Sequence, residues 1–361
     1  MPERRQNEWM ESLLATLQQL PNVRASRIEE IETQPDSGFD FAVDASINAK
    51  PVRLLVQTKN TVFPRDVRAS YWQLMSASGR SSGKKESSAV IPMIAASTIS
   101  DGAKQLLQNE RIGYFEQGGS LFLADDDVFV LIDKPATKMD RKIDRPLFSG
   151  NRASVIHALL MNPTRWFSTH ELAQMIFVSP STVSVVLTEL EKRDFANTQG
   201  RGPNKTRQVS RPGALLDEWA KQVSIQKKPT IRRYFVPLAK PEELMQRIEA
   251  LCDKHQTAYV ITHEWAAQLY APFLSSISQV KCRIFPNVPL SLIARELNAR
   301  EVNEGSNWGL IESESIRDME FSEDIRGLRV ESPILAYLDL LSGEGRAKEL
   351  AEHLRKEKIS F

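Results

Sequence analysis

The chain has little of what builds several functional classes. Its 361 residues include two cysteines, Cys252 and Cys282, and they form no CxxC pair. That excludes a disulfide framework and a zinc ribbon, and it fits a reducing compartment. The two thiols either touch in the fold or are buried and unpaired, the commoner arrangement. Five histidines (His157, His170, His255, His263, His353) are scattered, with no HExxH and no paired Cys/His spacing, which argues against a histidine-based metal site. No apolar run approaches the roughly 20 residues that span a bilayer. Residues 1–7 are too polar to open a signal peptide, so a cytoplasmic protein without a membrane partner is expected. Neither charge is in excess, with 47 Lys and Arg against 46 Asp and Glu. Any basic surface is therefore local and offset by acidic surface elsewhere. There is no internal repeat.

A chain of this length suggests two or three domains. Polar joints divide it into residues 1–145, 150–222 and 229–361. The first piece opens with an amphipathic helix marked by Trp9, Leu13, Leu17 and Leu20 and ended by Pro21. Strand-like runs at 39–47 and 52–58 flank a turn at 48–51. A helix at 65–76, an exposed loop at 79–88 and a buried strand at 89–95 follow. Ser100 caps an expected helix at 101–109, and Gly118-Gly119 joins a hairpin of 112–115 with 121–123. This alternation predicts a mixed sheet flanked by helices. Asp125-Asp126-Asp127 is either a metal cluster or a solvated hairpin turn, and its place before the run 128–132 favours the turn.

Residues 136–145 read as a charged linker. A second, basic joint spans 226–233, where Lys227, Lys228, Arg232 and Arg233 either track DNA or form an exposed connection. The third piece alternates again. Strands are expected at 234–236, 259–262 and 280–285. Helices are expected at 241–254, 265–269, 290–297, 332–341 and 346–356. The whole is an α+β multidomain protein.

The middle piece carries the clearest pattern. An apolar helix at 153–160 precedes Ser168, which caps a helix at 169–176 with Glu171 three residues on. Ser179 caps the next helix, and Pro180 takes its first position, where a missing N–H costs nothing. In that helix, 180–192, Val183, Val186, Leu187 and Leu190 fall on one side. Ser181, Ser184, Val185, Thr188 and Lys192 fall on the other. An outer face of small hydroxyl residues suits a major groove, because nothing bulky blocks approach to base edges. The segment 199–207 (QGRGPNKTR) reads as a hairpin whose Arg201, Lys205 and Arg207 reach phosphates or the minor groove.

This stretch resembles the winged helix-turn-helix of bacterial regulators of the MarR and ArsR type. The resemblance implies binding to double-stranded DNA, with Ser179, Ser181, Thr182, Ser184, Thr188, Lys192, Arg201, Lys205 and Arg207 as the contact residues. The alternative is a winged helix used for protein contacts.

In the first piece, Asp40 opens one strand-like run and Gln57-Thr58-Lys59 closes the next. The pattern resembles the PD-(D/E)xK nuclease superfamily, in which an aspartate and a second acidic residue hold a divalent metal and a lysine stabilises charge. Asp40 matches the aspartate and Lys59 the lysine, but Gln57 stands at the second carboxylate position. An amide offers one carbonyl oxygen to Mg²⁺ and no negative charge. The expectation is an inactive nuclease-like domain without a cofactor; Asp40, Gln57 and Lys59 are the catalytic candidates, and Mg²⁺ enters, only if the domain cuts DNA. Glu11 could supply a further carboxylate.

In the last piece, 259–267 (YVITHEWAA), 270–272 (YAP), 329–341 (RVESPILAYLDLL) and the segment that follows resemble AbiEi-type antitoxins. Their C-terminal domains are distantly like nucleotidyltransferases. The resemblance implies a DNA-binding autorepressor, a homodimer on a palindrome, and a cognate toxin or other protein as a possible partner. Thr262-His263 stands where a nucleotidyltransferase would carry a Gly-Ser or Gly-Gly start, and no paired carboxylates follow, so no catalysis is expected there. His263 with Glu264 is either an acid–base pair or a helix start, and Glu264 suits a helix N-terminus. A sequence-specific repressor is the leading expectation. A metal-dependent nuclease targeted by the winged helix is the alternative.

Overall fold

The computed structural model describes residues 2–27, 38–81, 89–134, 147–225 and 229–361. Residues 82–88 of the expected loop, the linker at 136–145, and Lys227 and Lys228 of the basic joint lie outside the described residues. The protein is mixed α and β. It divides into two compact units, Met1–Pro146 with Thr188–Asp194, and Leu147–Leu187 with Phe195–Phe361. No single helix among the described residues is long and apolar enough to cross a membrane.

The first unit begins with α1 (Pro2–Gln18), β1 (Val23–Arg27), β2 (Phe41–Ile47) and β3 (Lys50–Val62). It continues with α2 (Pro64–Ser81), β4 (Ala89–Ile99), α3 (Asp101–Asn109), β5 (Gly113–Glu116), β6 (Leu121–Asp125) and β7 (Val128–Ile132). The seven strands form one sheet in chain order. β3, β4 and β5 run parallel, and every other neighbouring pair is antiparallel.

Asn48 and Ala49 turn the β2–β3 hairpin with φ of 52° and 64°. Two left-handed residues give a turn whose twist matches the flanking strands. The expected four-residue turn is thus two residues, and Lys50 and Pro51 already pair with β2. Each face of the sheet has its own core. Trp9, Leu13 and Leu17 of α1 pack on Val43, Leu54 and Val56. Val67 and Leu74 of α2 and Leu107 of α3 pack on Ile94, Ala96 and Tyr114. The three aspartates turn β6 into β7: Asp125 pairs with Val128, and Asp126 and Asp127 meet Arg111 and Lys50 at the surface.

The second unit opens with α4 (Gly150–Met161), β8 (Phe167–Ser168), α5 (Thr169–Met175), α6 (Pro180–Lys192, whose residues from Thr188 on group with the first unit), β9 (Ala196–Gln199), β10 (Thr206–Val209) and α7 (Pro212–Ile225). β8, β10 and β9 form a small antiparallel sheet. The chain goes on through β11 (Ile231–Phe235), α8 (Pro241–Lys254), β12 (Ala258–Thr262), α9 (His263–Tyr270), β13 (Val280–Phe285) and α10 (Leu290–Glu296). It ends with β14 (Arg300–Glu301), β15 (Trp308–Glu312), β16 (Glu323–Ile325), β17 (Leu328–Val330), α11 (Pro333–Leu341) and α12 (Ala347–Leu354), followed by a π turn over Arg355–Ile359.

These strands form a second seven-stranded sheet in the order β14-β11-β15-β13-β12-β17-β16. β15 lies inside it, parallel to β13. The sequence does not separate β15, because its Gly309 breaks the apolar run. Cys252 and Cys282 are both buried and free, and Trp308 Nε1 donates to Cys282 Sγ at 3.2 Å.

The second and third sequence pieces fall into one compact unit rather than two. Side chains join them where the sequence predicts only a joint. His157 Nε2 meets Ser332 Oγ at 2.7 Å, and Arg355 Nη1 donates to Asp217 Oδ1 at 2.6 Å. Arg317 Nη1 donates to the Ile176 carbonyl at 3.0 Å.

Candidate nucleic-acid interface

The α5–α6 pair forms where its caps predict. Ser168 Oγ accepts from Glu171 N at 3.1 Å. Ser179 Oγ accepts from Thr182 N at 3.3 Å and lies 3.0 Å from Ser181 Oγ and 2.9 Å from Thr182 Oγ1. These bonds satisfy N–H groups that a helix start leaves without an internal partner. Val183, Val186, Leu187 and Leu190 are fully buried, whereas Ser179, Ser181, Ser184, Val185, Thr188 and Lys192 are exposed and Thr182 is half-buried. The helix therefore turns an apolar side inward and small polar side chains outward.

The hairpin between β9 and β10 holds the three basic residues differently. Arg201 is exposed at the tip and Lys205 is half-buried. Arg207 is 7% exposed, and its Nη1 donates to Thr169 Oγ1 at 3.1 Å. It thus spans from β10 to the first residue of α5 instead of projecting from the tip. The tip itself depends on Gly200, whose φ is 79°; a Cβ there would stand 2.5 Å from the Asn204 carbonyl oxygen.

Between α5 and α6 the chain passes through Ile176, Phe177 and Val178. Phe177 has φ of 51° and is 88% exposed. Arg317 Nη1 donates to Ile176 O and its Nη2 to Phe177 O, both at 3.0 Å. This guanidinium takes up carbonyls that the end of α5 leaves open. Nothing local in the sequence pairs residues 140 positions apart in the chain.

In the first unit, the β2–β3 pairing brings Asp40 beside the 57–59 segment. Asp40 Oδ2 accepts from Thr58 N and from Thr58 Oγ1, each at 2.6 Å. Gln57 Nε2 reaches Gln73 Oε1 on α2 at 3.5 Å, and Gln57 Oε1 is buried without a hydrogen-bond partner. Lys59 is half-buried on β3, in register with Ala96 of β4. Glu11 stands exposed on α1, which packs on the opposite face of the sheet from α2. Among the described residues, no group of three or more His, Cys, Asp or Glu side chains is arranged to hold a metal ion.

A buried polar cluster gathers where α9 leaves β12. His263 begins α9 with φ of 55°. Its Nδ1 lies 3.1 Å from Thr262 Oγ1 and 3.3 Å from Asp339 Oδ2. Thr262 Oγ1 also bonds Glu331 and, at 2.9 Å, Asp339 Oδ2. Arg283 reaches both carboxylates, with Nε 2.8 Å from Glu331 Oε1 and Nη2 2.5 Å from Asp339 Oδ2. Glu264 turns instead to Lys281, with both oxygens 2.9 Å from Nζ. So His263 does more than start a helix, and it pairs with Asp339 rather than with Glu264. Sheet order explains why the sequence does not single out Glu331: it follows β17, which lies beside β12 in space, yet it stands 69 residues beyond Thr262 along the chain.

The cluster's electrostatics are internally consistent. Burial pushes the Glu331 carboxyl up to about 8, helped by the Asp339 charge and opposed by Arg283 and the Thr262 hydroxyl. Burial also acts against the Asp339 carboxylate, but Arg283 and His263 win and hold it below the usual range. Burial lowers His263; the Asp339 and Glu264 charges oppose this, and the Lys281 and Arg283 charges add to it. Thr262 Oγ1 lies within donating distance of both carboxylates, Glu331 and Asp339, and its one hydroxyl proton serves one of them at a time.

No family model matches the chain, and no curated protein or solved structure matches it.

Proposed function

We propose that residues 150–222 are a winged helix-turn-helix and that the protein is a sequence-specific regulator that binds double-stranded DNA. The observation that carries this reading is α6. Its apolar side is buried, and its outer side offers exposed Ser181, Ser184, Val185 and Thr188 at helical spacing. Such a surface admits base edges to close range. The β9–β10 hairpin is the wing, with Arg201 at its tip for the phosphate backbone. The protein acts as a homodimeric, autoregulating repressor of the AbiEi antitoxin type. A cognate toxin is its protein partner, and the nuclease-like first domain serves as a scaffold.

One observation favours a second reading, a metal-dependent nuclease. Gln57 Oε1 is a buried carbonyl oxygen without a partner, close in sequence to the Asp40–Thr58 contact. A carboxylate and an amide oxygen are hard ligands of the kind Mg²⁺ takes.

One experiment separates the two. The protein is titrated onto the DNA upstream of its own coding sequence and onto unrelated DNA, with Mg²⁺ present, and DNA length is read afterwards. Intact, upstream-selective complexes support the repressor. Shortened DNA that stays whole with Lys59→Ala makes the protein a nuclease. Equal, weak binding to both DNAs removes sequence-specific regulation.

A further inference from the structure

The outward side of α6 is short of the side chains that read purines. A bidentate contact to guanine or adenine needs Arg, Lys, Asn or Gln. The exposed α6 residues are Pro180, Ser181, Ser184, Val185, Thr188 and, at the far end, Lys192. What the helix offers instead is apolar. Val185 is 51% exposed, and Phe177, two residues before the cap Ser179, is 88% exposed.

Phe177 is also held where it is. Its left-handed backbone disfavours a bulky side chain, yet the turn is fixed from three sides. Val178 N donates to Ala173 O at 3.1 Å, Phe177 N donates to Gln174 O at 3.4 Å, and Arg317 binds the carbonyls of Ile176 and Phe177. The ring is thus offered to solvent from a braced turn at the start of the helix.

In the major groove one base carries an apolar mark, the C5 methyl of thymine. We propose that Phe177 and Val185 recognise thymine methyl groups, so that the preferred duplex carries thymines at the positions facing the start of α6. This inference rests on the DNA-binding reading and names what that site selects.

The test uses full-length protein and a duplex pool with a randomised core of about 20 base pairs, enough for two half-sites a helical turn apart. The tightest enriched duplex is remade with deoxyuridine in place of thymidine, first throughout and then one position at a time. Uracil pairs as thymine does and lacks only the methyl group. The expected result is a loss of about fourfold for each contacted methyl, and so about 15-fold for two. Phe177→Ala should bind thymine and uracil duplexes equally at one position, and Val185→Ala at another. Equal affinity of the unaltered protein for both duplexes overturns the proposal. If neither variant removes the uracil penalty at any position, the assignment to these residues is overturned. If no sequence is enriched, the DNA-binding reading fails and this inference fails with it.

Discussion

Arg207 donates to Thr169 Oγ1 at 3.1 Å and so ties β10 to the first turn of α5. Its charge is buried, whereas that of Arg201 is exposed. The two arginines of one hairpin should therefore behave differently on DNA. Arg201→Ala should lower the dependence of log K on log salt by about one unit, the signature of one lost phosphate contact. Arg207→Ala should weaken binding with the slope unchanged, because it loosens the hairpin's mooring. A slope change of one unit in Arg207→Ala would mean that this side chain leaves Thr169 for a phosphate.

Glu331 should give stability an alkaline limb. The unfolded chain releases this proton near 4.5, and the folded chain keeps it to about 8. Over that interval the folded state holds the extra proton, so this contribution is complete below about 4.5. It declines as pH rises and is gone above about 8. The slope approaches about 1.4 kcal/mol per pH unit at most. Glu331→Gln should flatten urea-melt stability between pH 6.5 and 8. An unaltered slope in the variant would assign that proton elsewhere.

His157 acts in the opposite direction. It is buried against Trp219 and Phe321, and burial pulls its ring down to about 3 from 6.5. The unfolded chain takes up a proton near 6.5 that the folded chain refuses. Its contribution is present above about 6.5 and is lost as pH falls toward about 3. Between about 4.5 and 6.5 it offsets the Glu331 trend, so these two groups together should give a plateau there, with stability falling on either side. His157→Gln keeps a group able to bond Ser332 and should turn that plateau into a rise in stability as pH falls from 6.5 to 4.5. Identical acid melts of the variant and the unaltered protein would refute this.

Gly200 should not tolerate a side chain. With φ of 79° and a Cβ 2.5 Å from the Asn204 carbonyl, Gly200→Ala must shift backbone rather than a flexible side chain. A cost of about 1–2 kcal/mol is expected. Calorimetry should show a melting point about 2–8 °C lower if the hairpin melts with its unit. DNA affinity should fall with it. A variant that melts like the parent would place the strain outside the cooperative fold.

Local signals are where the sequence is legible. The caps at Ser100, Ser168 and Ser179 form because each serine needs only an N–H two or three residues on. The inward side of α6 follows from its 3.6-residue period, so spacing alone picks out Val183, Val186, Leu187 and Leu190. The Gly118-Gly119 hairpin and the aspartate turn follow from residue preference for tight turns in the same way.

The sequence misses what depends on partners far along the chain. β15 escapes notice because Gly309 interrupts its apolar run, and its place inside the sheet comes from pairing with β11 and β13. Asp40, Gln57 and Lys59 stand out in the sequence, but the contact that forms, Asp40 with Thr58, needs the two-residue turn at Asn48 and Ala49 to fix the register.

By itself the sequence determined most of the helices (α7 excepted), the serine caps of α3, α5 and α6, the buried side of α6 and the glycines of the hairpin, since each is set by neighbours within one or two turns of chain. Only the tertiary structure decided that Arg207 points to Thr169, that Arg317 braces Phe177, and that Glu331, Arg283 and Asp339 enclose Thr262. The reason is physical: a charged side chain taken from water must find a partner or change its protonation, and which partner is in reach depends on how distant strands and helices pack.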